Sequence, residues 1–191
     1  MRIISGKFKG RKIKPPSDFT IRPTLDRVKE SIFNVLSYRI TGADILDLFS
    51  GTGSLGLESL SRGCKLVHFV DKDIQSINLI RYNTENLADG VPGTGEFKII
   101  RSDVLDYLEF CKDIKWDIIF VDPPYKVEHE LMKKVFDILA QKRVTTEETL
   151  IIYEYFFKRK VKKEIENLEI VKESFFGDKK VAYLKPKGPV T

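Results

Sequence analysis

The sequence predicts an α/β chain built on a mostly parallel, seven-stranded sheet, with a small basic extension at the amino terminus and an antiparallel strand pair at the carboxyl end. Three observations predict it. From residue 43 onward, short apolar runs alternate with helical patterns, the signature of parallel strands whose crossovers are helices. The first of these runs feeds a glycine-rich turn, DLFSGTGSLG at residues 47–56, and a helical pattern follows at once. The last two runs, 168–176 and 180–185, are joined across Gly177 and Asp178, close enough to pair antiparallel.

The elements follow in order. Residues 1–17 hold Arg2, Lys7, Lys9, Arg11, Lys12 and Lys14 and no acid, a local charge of +6 in a chain of net +5, so the remainder carries −1. Concentrated in one short segment, this surplus reads as an arm for phosphates. Runs at 2–5 and 11–14 around Gly6 and Gly10 suggest a small hairpin, in which Phe8 either lies beside a base or packs. Pro15 and Pro16 end the arm. Arg22-Pro23-Thr24 precedes a helix over 25–38 with apolar positions at 25, 28, 32, 35 and 36, and Thr24 suits its N-cap. This helix is expected to dock the arm on the sheet, with Asp26, Arg27 and Lys29 on a solvated face. Next come strand 43–49, helix 53–62, strand 65–70, helix 73–88, strand 96–101, a short helix over 104–112, strand 116–121, helix 128–141 and strand 149–155. A charged segment, 158–167, then leads to the final strand pair. The organisation reads as an RNA-binding extension over 1–40 and a catalytic domain over 41–191.

Composition excludes several classes. No apolar run reaches the roughly 20 residues of a membrane helix, and Lys7 and Lys9 interrupt any leader-like core, so a cytoplasmic location is expected. Cys64 and Cys111 lack metal-ligand spacing and read as reduced thiols; no metal is expected. A monomer is expected.

The glycines at 51, 53 and 56 permit a sharp turn, a close approach to a ligand and tight helix–strand packing, as in nucleotide-binding α/β folds. Asp47 decides which ligand. A dinucleotide brings a pyrophosphate to this turn, where a carboxylate would oppose it, whereas S-adenosylmethionine (SAM) carries an ammonium and a sulfonium and no phosphate. Ligands of open α/β sheets bind beyond the carboxyl ends of the strands, and four successive strand ends carry acids. These are Asp47 with Ser50, Gly51 and Gly53; Asp71 with Lys72, placed to meet ribose hydroxyls; Ser102 and Asp103, placed to meet an adenine amine; and Asp122. A Rossmann-like methyltransferase sheet with a terminal antiparallel pair fits better than an all-parallel NAD domain.

Asp122-Pro123-Pro124-Tyr125 is the most specific chemical signal. Two prolines stiffen the backbone and remove amide donors, leaving carbonyl acceptors beside a carboxylate and a flat ring. That set suits a planar base with an exocyclic amine: Tyr125 stacks, while Asp122 and the Pro123 carbonyl accept the amine hydrogens. His68, His129 and Trp116 read as structural.

Five blocks, IISGKFKGRKIKPP, RPTLDRVKESIFNVL, DLFSGTGSLGLESLSRG, FVDKD and DIIFVDPPY, resemble in this order the ribosomal RNA small-subunit methyltransferase D family, over nearly the whole chain. The resemblance implies transfer of a methyl group from SAM to N2 of a guanine in 16S rRNA. It implies cofactor contacts from Asp47, Gly51, Gly53, Asp71 and Asp103, amine binding by Asp122 and Pro123, and stacking by Tyr125. It also implies that the basic arm, with Arg2, Lys7, Lys9, Arg11, Lys12 and Arg22, meets rRNA in an assembled or assembling small subunit. Adenine-N6 methylation of DNA uses the same turn, but the chain leaves no room for a domain that reads base edges. A non-catalytic RNA-binding module is the other alternative, and the intact turn and glycine loop speak against it.

Overall fold

A computed structural model describes residues 1–16, 26–88, 90–111, 114–141 and 143–187. Arg22, Thr24 and the tail from 188 onward lie outside the described residues. Five parallel strands run side by side from one edge of the sheet: β1 (Asp44–Leu48), β2 (Leu66–Asp71), β3 (Glu96–Arg101), β4 (Ile118–Val121) and β5 (Leu150–Phe156). The sheet is extended by β6 (Leu168–Phe176) and β7 (Lys179–Pro186), and its order is β3-β2-β1-β4-β5-β7-β6. Strand β7 runs antiparallel to both β5 and β6, as the short Gly177-Asp178 link requires.

Among the described residues, five helices cover the two faces: α1 (Asp26–Val35), α2 (Ser54–Ser61), α3 (Ile74–Leu87), α4 (Val104–Phe110) and α5 (His129–Ala140). Side chains of a strand alternate between faces, and β4 shows the result. Ile118 and Phe120 join α1, α2 and α3 in one core cluster, whereas Ile119 and Val121 join α4 and α5 in the other. A strand buried on both faces reads as an unbroken apolar run, which is why IIF and LIIY were legible as central strands.

Two glycines fix how α2 meets the sheet. Gly53 caps the helix in the left-handed region, at φ 75°, where a side chain would be strained. A Cβ on Gly56 would stand 2.2 Å from Phe69 Cε1, so only glycine allows α2 to lie this close to β2.

The amino-terminal arm is not an appendage. Its hairpin is reduced to a single antiparallel bridge, Arg2 to Lys12, but Ile3, Phe8 and Ile13 are buried in the same core as α1, α2 and α3. Phe8 therefore packs. The arm's backbone is tied to α2 and α3: the Ile4 and Ser5 amides donate to the Glu58 carboxylate at 2.7 and 3.0 Å, the Phe8 amide to Ser61 Oγ at 2.9 Å, and the Lys14 amide to Asn83 Oδ1 at 2.9 Å. Lys29 is a correction to the solvated face expected of α1. It is fully buried, donating to the Arg2 carbonyl at 2.5 Å and lying 3.5 Å from Glu58. Burial lowers the pKa of its ammonium, and Glu58 opposes that shift.

Candidate active site

The first four strand ends bring the predicted acids to one rim of the sheet. Order β3-β2-β1-β4-β5 makes the β1/β4 junction the point where the crossovers reverse direction, the place where open α/β sheets hold ligands. Asp47 leaves β1 there and Asp122 follows β4 directly.

Asp47 is 2% exposed and accepts the Gly56 amide at 3.0 Å. Its carboxylate thus already occupies the electropositive start of α2, where a pyrophosphate would otherwise settle. Burial raises its pKa well above the ordinary value, the Gly56 amide pulls it back, and Asp122 and Asp71 push it further up. The site tolerates this acid at a cost that a cation would relieve. Because folded Asp47 holds its proton more tightly than the unfolded chain, its ionisation destabilises the fold as pH rises from the unfolded pKa towards the folded one. Asp47→Asn is expected to flatten the fall in stability across that window, read as Tm against pH without SAM; an unchanged profile would show that Asp47 contributes nothing to it.

The rest of the glycine loop is braced from β2. Ser50 Oγ donates to the Asp47 carbonyl at 2.5 Å and accepts the Val70 amide at 2.8 Å, and the Gly51 amide donates to Asp71 Oδ2 at 2.9 Å. Phe49 is held at φ 57°, a strained region for an aromatic residue, and such strain persists where the surroundings fix it. Asp71 also accepts the Asp73 amide at 2.9 Å, and burial is the largest cause of its raised pKa. Asp103 caps α4 through the Leu105 amide at 3.0 Å and lies 3.8 Å from Lys72 Nζ. Ser102 donates through its amide to the Asp71 carbonyl at 3.1 Å. Asp47, Ser50, Gly51, Asp71, Lys72, Ser102 and Asp103 therefore form one connected rim. Negative, without a free helix start and with bare glycine backbone, this rim fits a cationic nucleoside such as SAM and disfavours a phosphate.

Beyond β4, Pro123, Pro124 and Tyr125 line an open cleft of about 250 Å³ with Val127, His129, Glu154 and Arg159. The acids of β1, β2 and β3 do not line it, so the Pro123–Tyr125 turn stands between the acidic half of the rim and this second space. Tyr125 is 42% exposed and stands edge-on to Phe156, ring centroids 6.1 Å apart.

Five residues that the sequence reading passed over support this turn. Arg159 donates to the Val127 carbonyl at 2.8 Å and to Glu164 at 2.9 Å, and Tyr153 also donates to Glu164 at 2.9 Å. Glu154 and Lys179 form a buried ion pair, with Lys179 Nζ 5.9 Å from the centre of the Tyr125 ring. Burial lowers the Lys179 pKa, but Glu154 and Asp122 more than offset it, so it stays charged. A glutamate inside the apolar run LIIYEYF was the one signal that could have exposed this pair.

The base of the arm reaches the glycine loop, where Asn83 donates to the Lys14 and Thr52 carbonyls at 3.2 and 3.0 Å, but the cations at its tip lie elsewhere. Lys7 donates its amide to the Ser61 carbonyl at 2.7 Å and its ammonium to the Pro92 carbonyl at 2.6 Å. Those contacts put the arm's tip at the far end of α2 and before β3, on the side of the sheet opposite the acids. Arg11 lies 5.4 Å over the Phe8 ring, Arg2 pairs with Asp26 at 3.5 Å, and Lys9 and Lys12 are exposed.

Comparison with known proteins agrees with this geometry. Residues 1–185 match the family described as Conserved hypothetical protein 95. The chain is 33% identical to the Ribosomal RNA small subunit methyltransferase D of Escherichia coli (strain K12), over 81% of this chain and 74% of that protein. It is 34% identical to the protein of the same name from Haemophilus influenzae, over 81% and 78%. The solved yhhF protein from Escherichia coli superposes with a TM-score of 0.82 at 28% identity, covering 98% of both chains. More distant neighbours, among them SMU.776 solved with SAH at 20% identity and a TM-score of 0.63 over 83% of this chain and 48% of that one, share the SAM-dependent methyltransferase fold. The chain therefore belongs to the Conserved hypothetical protein 95 family, the family of the small-subunit rRNA methyltransferase D proteins.

Proposed function

We propose that this protein transfers the methyl group of SAM to the exocyclic N2 amine of a guanine in the 16S rRNA of the small ribosomal subunit. The observation that carries the reading is the Asp-Pro-Pro-Tyr turn, set at the β1/β4 junction between a phosphate-averse acidic rim and a base-sized cleft. When bound, SAM supplies an electrophilic methyl on a sulfonium. Asp47, Ser50, Gly51, Gly53, Asp71, Lys72, Ser102 and Asp103 are its holders: Asp47 and Asp71 supply negative potential, Asp71 meets the ribose and Asp103 the adenine amine. Tyr125 stacks on the target base, and Asp122 with the Pro123 carbonyl accepts the two amine hydrogens. With SAM bound, the target nitrogen would gain the methyl as the sulfonium C–S bond breaks and neutral S-adenosylhomocysteine leaves, and its surplus proton would pass to Asp122 and then to water. Pro124 keeps the turn from yielding. Orientation of this kind can supply about 7–11 kcal/mol of the barrier.

The relatives named as small-subunit rRNA methyltransferases support the RNA substrate. Radiolabelled SAM offered with naked DNA, free rRNA and subunits from a strain lacking the modification tests it, with mass mapping of the product. Label on N2 of one guanine in rRNA is expected; label in DNA alone overturns the reading in favour of adenine-N6 methylation. The protein acts as a monomer in the cytoplasm, where subunits assemble, with residues 1–40 as its RNA-binding extension. Deleting the arm is not a clean test, because Ile3, Phe8 and Ile13 are core. Reversing charge at Lys9 and Lys12, both exposed, is expected to raise KM for rRNA about ten-fold or more, with kcat and SAM affinity unchanged, since each lost phosphate contact also flattens the salt dependence. An unchanged KM would make these charges merely solvated.

A further inference from the structure

We propose that the carboxyl end of β5 and the β6–β7 turn form a second RNA surface, a stacking platform for the unpaired nucleotides flanking the target base. This inference rests on the RNA-methylating reading above.

Charge is the first observation. The −1 outside the arm conceals a strong division: residues 157–187 hold ten Lys and Arg against five Asp and Glu, a local +5, while residues 18–156 carry −6. The arm is thus one of two basic segments.

Ring exposure is the second. Phe157 is 44% and Phe175 65% exposed, and phenylalanine is among the residues that folding most often buries. From Tyr125 the rings continue outward, with Phe156 at 6.1 Å and Phe157 a further 5.1 Å on. Phe175 pairs in register with Lys180, which itself pairs with Tyr155, and the Phe157 amide donates to the Asp178 carbonyl at 3.0 Å. The β6–β7 turn therefore abuts the same rim as Asp122.

Cations interleave these rings. Lys158 Nζ lies 5.6 Å from the Phe157 ring centre and Lys180 Nζ 4.5 Å from that of Phe175, and Lys160 is exposed nearby. The neighbouring acids are Asp178 in the turn, Glu173, which accepts the Tyr155 hydroxyl at 2.8 Å, and Glu154, which pairs with buried Lys179. Exposed π-faces beside ammonium groups match a chain of phosphates carrying unstacked bases. A duplex hides those faces, so the platform selects single-stranded RNA. It deepens the assigned site because it reaches nucleotides on either side of the one held by Tyr125.

The test uses the full chain and fluorescein-labelled RNA, comparing a single strand with a hairpin duplex by anisotropy. The double variant Phe157→Ala/Phe175→Ala is expected to lose single-strand affinity about ten-fold or more, with duplex affinity unchanged. Lys158→Ala/Lys180→Ala is expected to reduce the single-strand salt slope by about 1.4. Thermal unfolding and SAM affinity serve as fold controls. Unchanged single-strand affinity, or equal loss on the duplex, overturns the platform. A concentration-dependent dimer lost in the variants, with RNA affinity unaltered, also overturns it and makes the patch a self-association face. Wild-type protein that methylates no RNA removes the functional reading, whereas the binding comparison decides the platform in either case.

Discussion

Asp122→Ala is expected to lower methyl transfer roughly 10²–10⁴-fold, the range for losing a positioned proton acceptor. SAM affinity is expected to hold or rise. Asp122 is one of the like charges that push up the Asp47 pKa, so removing it makes Asp47 easier to ionise and the rim more hospitable to a sulfonium. Asp122→Asn keeps an acceptor oxygen for one amine hydrogen but cannot take the proton, and is expected to fall between alanine and wild type. Single-turnover rates with saturating rRNA, alongside calorimetric SAM titration, separate the two effects. Wild-type turnover in the alanine variant would mean that the amine is held elsewhere.

Glu58→Ala is expected to have the largest effect on stability. Glu58 is fully buried and accepts from two arm amides, from Arg62 at 2.8 Å, and lies 3.5 Å from buried Lys29. Truncation strands Lys29 and leaves the Ile4 and Ser5 amides without their acceptor. Breaking one side of a buried pair costs about 3–5 kcal/mol, roughly a fifth or more of a typical domain's stability. For a chain of this size that lowers Tm by roughly 6–20 °C. Glu58→Gln, which retains acceptor capacity for the arm but not the charge, should lose less. Pairing Glu58→Leu with Lys29→Met should recover only part of the lost stability, because the arm amides stay unsatisfied, and a faster exchange of those amides would report it. A Tm within 2 °C of wild type in Glu58→Ala would sink this account.

The central strands β1, β2, β4 and β5 were legible because burial on two faces forces apolar runs, and the boundaries of the more exposed edge strands β3 and β6 also match the sequence reading. The acids at strand ends were legible for a different reason: topology repeats, so each strand end falls on the same rim. What could not be read was long-range pairing of charge. Nothing in the spacing of Lys29 and Glu58 distinguishes them from solvated residues, and Glu154 stands out only by its place in an apolar run, since the partners are brought together only by folding. Asp47 shows a subtler limit. Its bond to the Gly56 amide is the loop-bonding role that any strand-end aspartate could play, and the cofactor argument survives because that same bond removes the helix start from phosphate. Averaging the charge outside the arm to −1 concealed the basic carboxyl-terminal segment, because the acidic sheet cancels it.

The arm's tip is moored at Ser61 and Pro92, whereas Asp122 opens on the other side of the sheet. A strand of five residues such as β1 spans about 17 Å, and that is the least distance between the two. A ligand that engages both has to reach across the whole thickness of the protein's flank. A trinucleotide can fill the mouth but cannot touch Lys9, so substrate size becomes a criterion of selection in its own right, with a folded particle gripped at two points and a fragment at one.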